Sequence, residues 1–270
     1  MSIDRTMWVR GLVLLGSMGF WGAQGALAGG AATPLHPWQV AVKPGAAQAY
    51  FTNLKDGDEI QMPFLAYFGL SQGWGLAPIQ APAGGKSGHH HLLINRDLPL
   101  DFKQPLPFND QYIHFGKGQM ETTLNLAPGE YTLRMLLADD KHLPRFVYSK
   151  PLKVTVSQQR AKVEVPAVTT PSIALIVDKG LTSSRFRVLF HASNLNVGHL
   201  AQKIPGSGHF RLSVLPLAGG KAAEFDFVDG ETEIWLQPPA GEYKLSLSLV
   251  DNVDPDKNLA EVVHTTASVK

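Results

Sequence analysis

The chain is built from short runs in which apolar and polar side chains alternate, broken every few residues by Gly, Pro, Asn or Asp. Alternation with a period of two marks strands that turn one face to a core, and the breakers supply the turns between them. Six runs stand out in the first half, at residues 61–70, 88–94, 112–115, 121–126, 131–138 and 152–156. No stretch of helical period and adequate length accompanies them. The pattern predicts an all-β protein of immunoglobulin-like antiparallel β-sandwich type, a class with about 100 residues per domain.

The pattern also repeats. Gly88-His-His-His-Leu-Leu-Ile94 returns as Gly208-His-Phe-Arg-Leu-Ser-Val214, an offset of 120, and residues 112–121 return as 224–233, an offset of 112. Pro128-Gly-Glu-Tyr-Thr-Leu133 returns as Ala240-Gly-Glu-Tyr-Lys-Leu245, and Asp139 matches Asp251. Two tandem sandwiches are therefore expected, at 49–156 and 171–270, with a polar linker at 157–170. An Ala/Gly/Pro-rich lead-in at 29–48 precedes them.

The second copy acts as an internal control on the histidines of the first. Leu92 and Ile94 match Leu212 and Val214, apolar in both copies, and should face the core. His89 and His91 then share the opposite face, which the pair Leu93/Ser213 marks as the wetter one. His90 has core parity and is replaced by Phe210, so a bulky, partly buried role is expected of it. Ile113 and Phe115 match Phe225 and Phe227, which turns His114 outward. If the two strands are neighbours, His89, His91 and His114 lie on one face, and His142, matched by Asp254, closes the group from a loop. Two histidines two apart on one strand with a third on its neighbour suit zinc or copper, because imidazole ligates both. Two other readings stand beside this: histidines that hydrogen-bond to brace the Gly/Pro-rich connection 73–88, and histidines that are simply exposed.

His90, Gln119 and Glu121 are the supporting residues to consider. Glu121 recurs as Glu233, which points to a structural hydrogen bond more than to a general base. Met120 is a lone thioether, so a dedicated copper(I) site is disfavoured against Zn(II) or Cu(II). Gly116-Lys-Gly-Gln119 lacks phosphate-loop spacing, and no catalytic nucleophile stands out.

Charge and the N-terminal segment set the context. Arg5 and Arg10 precede an apolar run at 11–22, and Ala26-Leu27-Ala28 has the small-x-small form of a cleavage site, so residues 1–28 are expected to be an export signal. The expected location is periplasmic or secreted. Cysteine is absent, which excludes disulfides and thiolate chemistry. The formal charge of +1 falls to about zero without the signal, so nothing favours nucleic acid as a partner. No later stretch is long and apolar enough to predict a transmembrane segment.

Lys55-Asp-Gly57, Gly73-Trp-Gly-Leu-Ala-Pro78, Gly88-His-His-His-Leu92, His114-Phe-Gly-Lys-Gly-Gln119 with Glu121, and Asp139-Asp-Lys-His142 together resemble the domain-of-unknown-function 4399 family of exported bacterial proteins. The resemblance covers the first copy, whereas the second keeps only the frame. It implies motif positions and no reaction. Three functions follow from the residues: a non-catalytic metal-binding protein using His89, His91, His114 and His142; an envelope module in which Trp74, Tyr112 and the histidines recognise a glycan or protein partner; and a metal-dependent hydrolase with Glu121 as base.

Overall fold

The computed structural model describes residues 35–41, 46–99, 101–160, 170–177, 184–201 and 203–270. The predicted export signal, part of the lead-in and most of the linker lie outside the described residues.

The described residues form strands and no helix. The first copy contributes β1 (Ala49–Phe51), β2 (Glu59–Met62), β3 (Phe64–Leu70), β4 (Gly75–Leu76), β5 (Ser87–Ile94), β6 (Tyr112–Phe115), β7 (Glu121–Leu124), β8 (Gly129–Ala138), β9 (Pro144–Tyr148) and β10 (Leu152–Gln159). The second contributes β11 (Ser172–Val177), β12 (Phe186–Ser193), β13 (Asn196–Val197), β14 (Ser207–Pro216), β15 (Ala223–Asp226), β16 (Glu233–Leu236), β17 (Gly241–Asp251) and β18 (Val263–Val269). Each copy is a sandwich of two sheets. In the first, β1-β3-β7 faces β2-β10-β8-β5-β4, with β6 on β5 and β9 on β8; in the second, β11-β12-β16 faces β13-β14-β17-β18, with β15 on β14. Pairing is antiparallel except where β2, β4 and β13 run parallel to their neighbours.

The run at 61–70, expected as one strand, is two strands in different sheets. Pro63 separates them, and a residue without an amide hydrogen cannot continue a ladder.

The inward positions read from parity do form the core. Leu92, Ile94, Leu212, Val214, Phe115, Phe225 and Phe227 are buried in one apolar cluster with Phe68, Met120 and Phe190. Equivalent rings meet in the two copies: Phe68 lies 5.5 Å from His90 and 4.9 Å from Phe115, and Phe190 lies 5.2 Å from Phe210 and 4.6 Å from Phe227.

The outer face of β5 is not wet. Leu93 is fully buried in a second cluster with Leu106, Leu136 and Ala138, against which Leu98, Phe102, Tyr112 and Tyr148 pack. The cover comes from the segment 95–111, which is eight residues longer than its counterpart 215–223.

The two sandwiches meet as a pseudo-two-fold pair. Leu76 N donates to Gly230 O at 2.8 Å, and Val197 N donates to Gly118 O at 3.0 Å. Gly118 and Gly230 are equivalent positions of the repeat, both at positive φ (89° and 80°). A Cβ on either would run into backbone of the facing copy, so the contact requires glycine twice. The equivalent carboxylates also reach across. Glu121 accepts from Ser193 Oγ (2.7 Å) and Asn194 N (3.0 Å), and Glu233 accepts from Tyr50 Oη (2.8 Å) and from its own copy's Arg187.

Candidate metal centre

Cross-strand register builds the centre. On β5, His89 and His91 project to the same side, and β6 sets His114 directly opposite His91. The loop between β8 and β9 brings in His142. Asp139 shapes that loop: its Oδ1 accepts from Lys141 N (3.0 Å) and Leu143 N (2.9 Å), and its carbonyl accepts from His142 N (2.9 Å). His142 sits at φ 60°, a conformation that the turn imposes on a residue with a Cβ. Leu106 N donates to His142 O at 2.9 Å, so the covering segment is tied to the same loop.

One nitrogen from each of His89, His91, His114 and His142 lies within 4.8 Å of the other three. A tetrahedral zinc site with metal–nitrogen bonds of about 2.0–2.1 Å has nitrogens about 3.4 Å apart, so modest side-chain movement closes the group on an ion. His114 Nδ1 and His142 Nε2 are already 3.2 Å apart, on rings inclined by 9°. Phe108, from the covering segment, stands edge-on to both of these rings at 5.0 and 4.6 Å and is itself 66% exposed.

Burial and mutual repulsion disfavour the protonated forms of His89, His91 and His114. Burial, assisted by His142 and His114, pushes His89 down to about 3, with the Asp139 carboxylate opposing weakly. Burial, with His89, His114 and His142, pushes His91 down to about 2. His114 is lowered by burial and by His142. Neutral imidazole is the metal-binding form. Both ring nitrogens of His89 and Nδ1 of His91 are buried without a hydrogen-bond partner. Each such nitrogen costs about 1–3 kcal/mol when left unpaired, and coordination to a cation removes that cost.

The expectation that these histidines lie on a wet face needs correction, since His89 and His91 are both buried. That also removes the reading of them as simply exposed, and their unpaired nitrogens remove the bracing role. His90 points the other way, fully buried against Phe68, and is not part of the group. Gln119 Oε1 accepts from Lys117 N (2.8 Å) beside His114 without joining it. Glu121 belongs to the domain contact. Burial raises its pKa, but hydrogen bonds from His191, Ser193 and Asn194 outweigh that and hold it below the ordinary carboxylate range. Trp74 and Tyr112 are half-buried against the cores. Phe108 beside the centre is exposed, and so is Phe146, which stacks on Phe102 at 4.4 Å. Sequence reasoning missed all three: Phe102 and Phe108 lie in the segment 95–111, part of which has no equivalent in the second copy to set a parity, and Phe146 lies on β9, which is not among the expected strands.

The second copy fills the same place differently. At the register where His91 faces His114, Arg211 faces Asp226, and their side chains pair at 3.0 Å. His209, equivalent to His89, holds Asn252 Oδ1 at 2.7 Å through Nδ1, and its Nε2 lies 3.0 Å from Asp226 without the alignment of a hydrogen bond. A guanidinium supplies there the positive charge that an ion would supply in the first copy.

The family model described as "Domain of unknown function (DUF4399)" matches residues 66–157 and 188–269. Among solved structures the chain is similar to fibronectin(III)-like modules of Clostridium thermocellum CbhA, at 11% identity over 83% of this chain and 94% of that one, with a TM-score of 0.27. It is also similar to the chicken CNTN1 FN1–FN3 domains (10% identity, 84% and 67% covered, TM-score 0.25) and to a two-domain fibronectin type III segment of chicken tenascin (14%, 82% and 97%, TM-score 0.24). No curated protein matches the chain.

Proposed function

Since the chain belongs to the DUF4399 family, whose description assigns no reaction, we propose that it is an exported, non-catalytic protein of the cell envelope that binds one Zn(II) or Cu(II) ion. The ligands are His89, His91, His114 and His142. The sandwich at 49–156 holds the ion, and the degenerate copy at 171–270 is a structural partner. The observation that carries the reading is His89, buried with both ring nitrogens unpaired inside a group of four convergent imidazoles. Four nitrogen ligands complete a tetrahedral zinc shell and leave no open position for substrate, which favours holding or transferring the ion over catalysis. Periplasmic or secreted location rests on the Arg-flanked apolar run and Ala26-Leu27-Ala28. The hydrolase reading loses its base, because Glu121 is engaged across the domain contact.

Metal analysis of protein purified without a histidine tag, followed by titration with zinc and copper, tests the proposal. One equivalent per chain, lost in His114→Ala, is the expected result. No binding at all would leave the envelope docking module, for which the exposed Phe146 on Phe102 offers a surface.

A further inference from the structure

A cavity of about 590 Å³ opens between the sandwiches beside His114. Pro78 and Ile79 line it from the first copy and Ile204 and Pro205 from the second; Lys117, Gln119, Gln80, Asn196 and Ser207 are among its polar residues. Among the described residues, no carboxylate lines it. The Gln119 carbonyl oxygen is occupied by Lys117 N, so its free polar groups are the amide donors. The imidazole of His114 uses Nδ1 towards His142, while Nε2 is on the side of Gly116, another lining residue. Apolar walls thus meet amide groups that can donate, and Lys117 adds an ammonium to the lining. We propose that this cavity is a binding site for a small organic anion, a carboxylate with an apolar body.

The pseudo-two-fold relation supplies a control. Its mate is the cleft lined by Gly84, Gly85, Lys86, Ser87, His199 and Asp229. Gly75 pairs with Ser87 as Asn196 pairs with Ser207, which makes Pro78 equivalent to His199, and the 112-residue offset makes Lys117 equivalent to Asp229. In the mate, His199 Nε2 lies 2.8 Å from Asp229 Oδ1, and the space is about 250 Å³. The same architecture is thus narrowed on one side by the His199–Asp229 contact, with Lys86 also in its lining, and open on the other, where Lys117 is the charged lining residue. A cavity of the larger size falls in the range of small-molecule sites, which occur preferentially at domain contacts.

The anion site is coupled to the ion site through His114, and this coupling rests on the metal reading above. An ion on Nδ1 leaves the ring proton on Nε2, where it donates to an acceptor in the cavity; outer partners of this kind tighten a ligating imidazole. By linkage, each ligand then strengthens the binding of the other.

The full chain, labelled with nitrogen-15 and stripped of metal, is titrated with benzoate and, as an uncharged analogue, with benzyl alcohol. Benzoate is expected to shift the amide signals of Lys117, Gln119 and Asn196, and benzyl alcohol is not. Lys117→Met should weaken benzoate about tenfold or more, the size of one charge-assisted hydrogen bond. Pro78→His with Lys117→Asp, which transplants that contact, should abolish the shifts. Equal response to both compounds, or an undiminished response in Lys117→Met, overturns the site. Zinc loading should tighten benzoate several-fold. Benzoate binding without any zinc binding supports the cavity and refutes the metal reading and the coupling; zinc binding without benzoate binding refutes the cavity alone.

Discussion

His114 Nδ1 lies 3.2 Å from His142 Nε2 on nearly parallel rings, although the two residues come from different elements of the sandwich. Two imidazolium ions at that separation would repel, and His114 is accordingly held below the ordinary histidine range by burial and by His142. Protons and metal compete for the same nitrogens, so affinity falls as pH falls through the ligand pKa values. His89 and His91, at about 3 and 2, do not compete until the solution is strongly acidic. Zinc should therefore be retained below pH 6, where a site of unperturbed histidines of pKa about 6.5 is already losing its ion. Competition titrations from pH 7 to 4 check this; a tenfold loss of affinity already between pH 7 and 6 would contradict it.

The same burial makes the metal-free protein sensitive to acid. His89, His90 and His91 all have folded pKa values below that of an unfolded histidine, so unfolding takes up protons between the two values. Stability is therefore unaffected by their titration above about pH 6.5 and is lost as pH falls toward 3, at up to about 4 kcal/mol per pH unit for three rings. Urea denaturation of the metal-free chain at successive pH values should show the midpoint falling steeply below pH 6. Zinc should oppose the fall, because four convergent imidazoles bind it more tightly in the folded state than in the unfolded chain. A midpoint unchanged between pH 7 and 5 would refute the assignment.

His90 should be dispensable, and its removal beneficial. Both of its nitrogens are buried without partners, and it occupies the place that Phe210 fills against Phe190 in the second copy. His90→Phe should raise unfolding free energy by about 1–3 kcal/mol, the usual penalty of an unpaired buried polar group. Zinc affinity should not change. Destabilisation by the substitution would show that the imidazole has a partner or a shape role that phenylalanine cannot take.

Much of this site was legible because the chain carries its own control. Apolar parity at Leu92/Leu212 and Phe115/Phe227 fixed which face each strand turns inward, and the grouping of His89, His91 and His114 followed from it, with His142 added from the loop after β8 by its match to Asp254. What alternation cannot reveal is what covers a face. Leu93 was read as wet because Ser213 is its counterpart, yet the eight extra residues in 95–111 bury it and set Phe108 over His114 and His142. The reach of Glu121 was equally hidden, since its recurrence as Glu233 signals a structural role but not that each carboxylate bonds to the other copy. Pro63, by contrast, was visible, and its missing donor is reason enough to split the run at 61–70.

Ion binding should belong to the first sandwich alone and be transferable to the second. Wild-type protein is expected to take up one zinc equivalent. His114→Ala removes a ligand at a position that accepts Asp226 in the other copy, so the fold should persist while affinity drops by more than the 10- to 100-fold that loss of an outer-shell partner typically costs, an effect of about 2 kcal/mol or more. Arg211→His, Asp226→His and Asp254→His together rebuild the four-imidazole set around His209. Arg211 and Asp226 are 40% and 41% exposed, so losing their ion pair should cost about 1 kcal/mol or less, and the variant should fold. The second equivalent should bind more weakly than the first, since the shorter segment 215–223 carries no counterpart of Phe108 and Asn252 still engages His209 Nδ1. Metal-to-protein ratios after dialysis, for wild type, His114→Ala and the triple variant, decide the matter. Two equivalents on the wild type, or one equivalent that survives His114→Ala undiminished, would place the ion elsewhere.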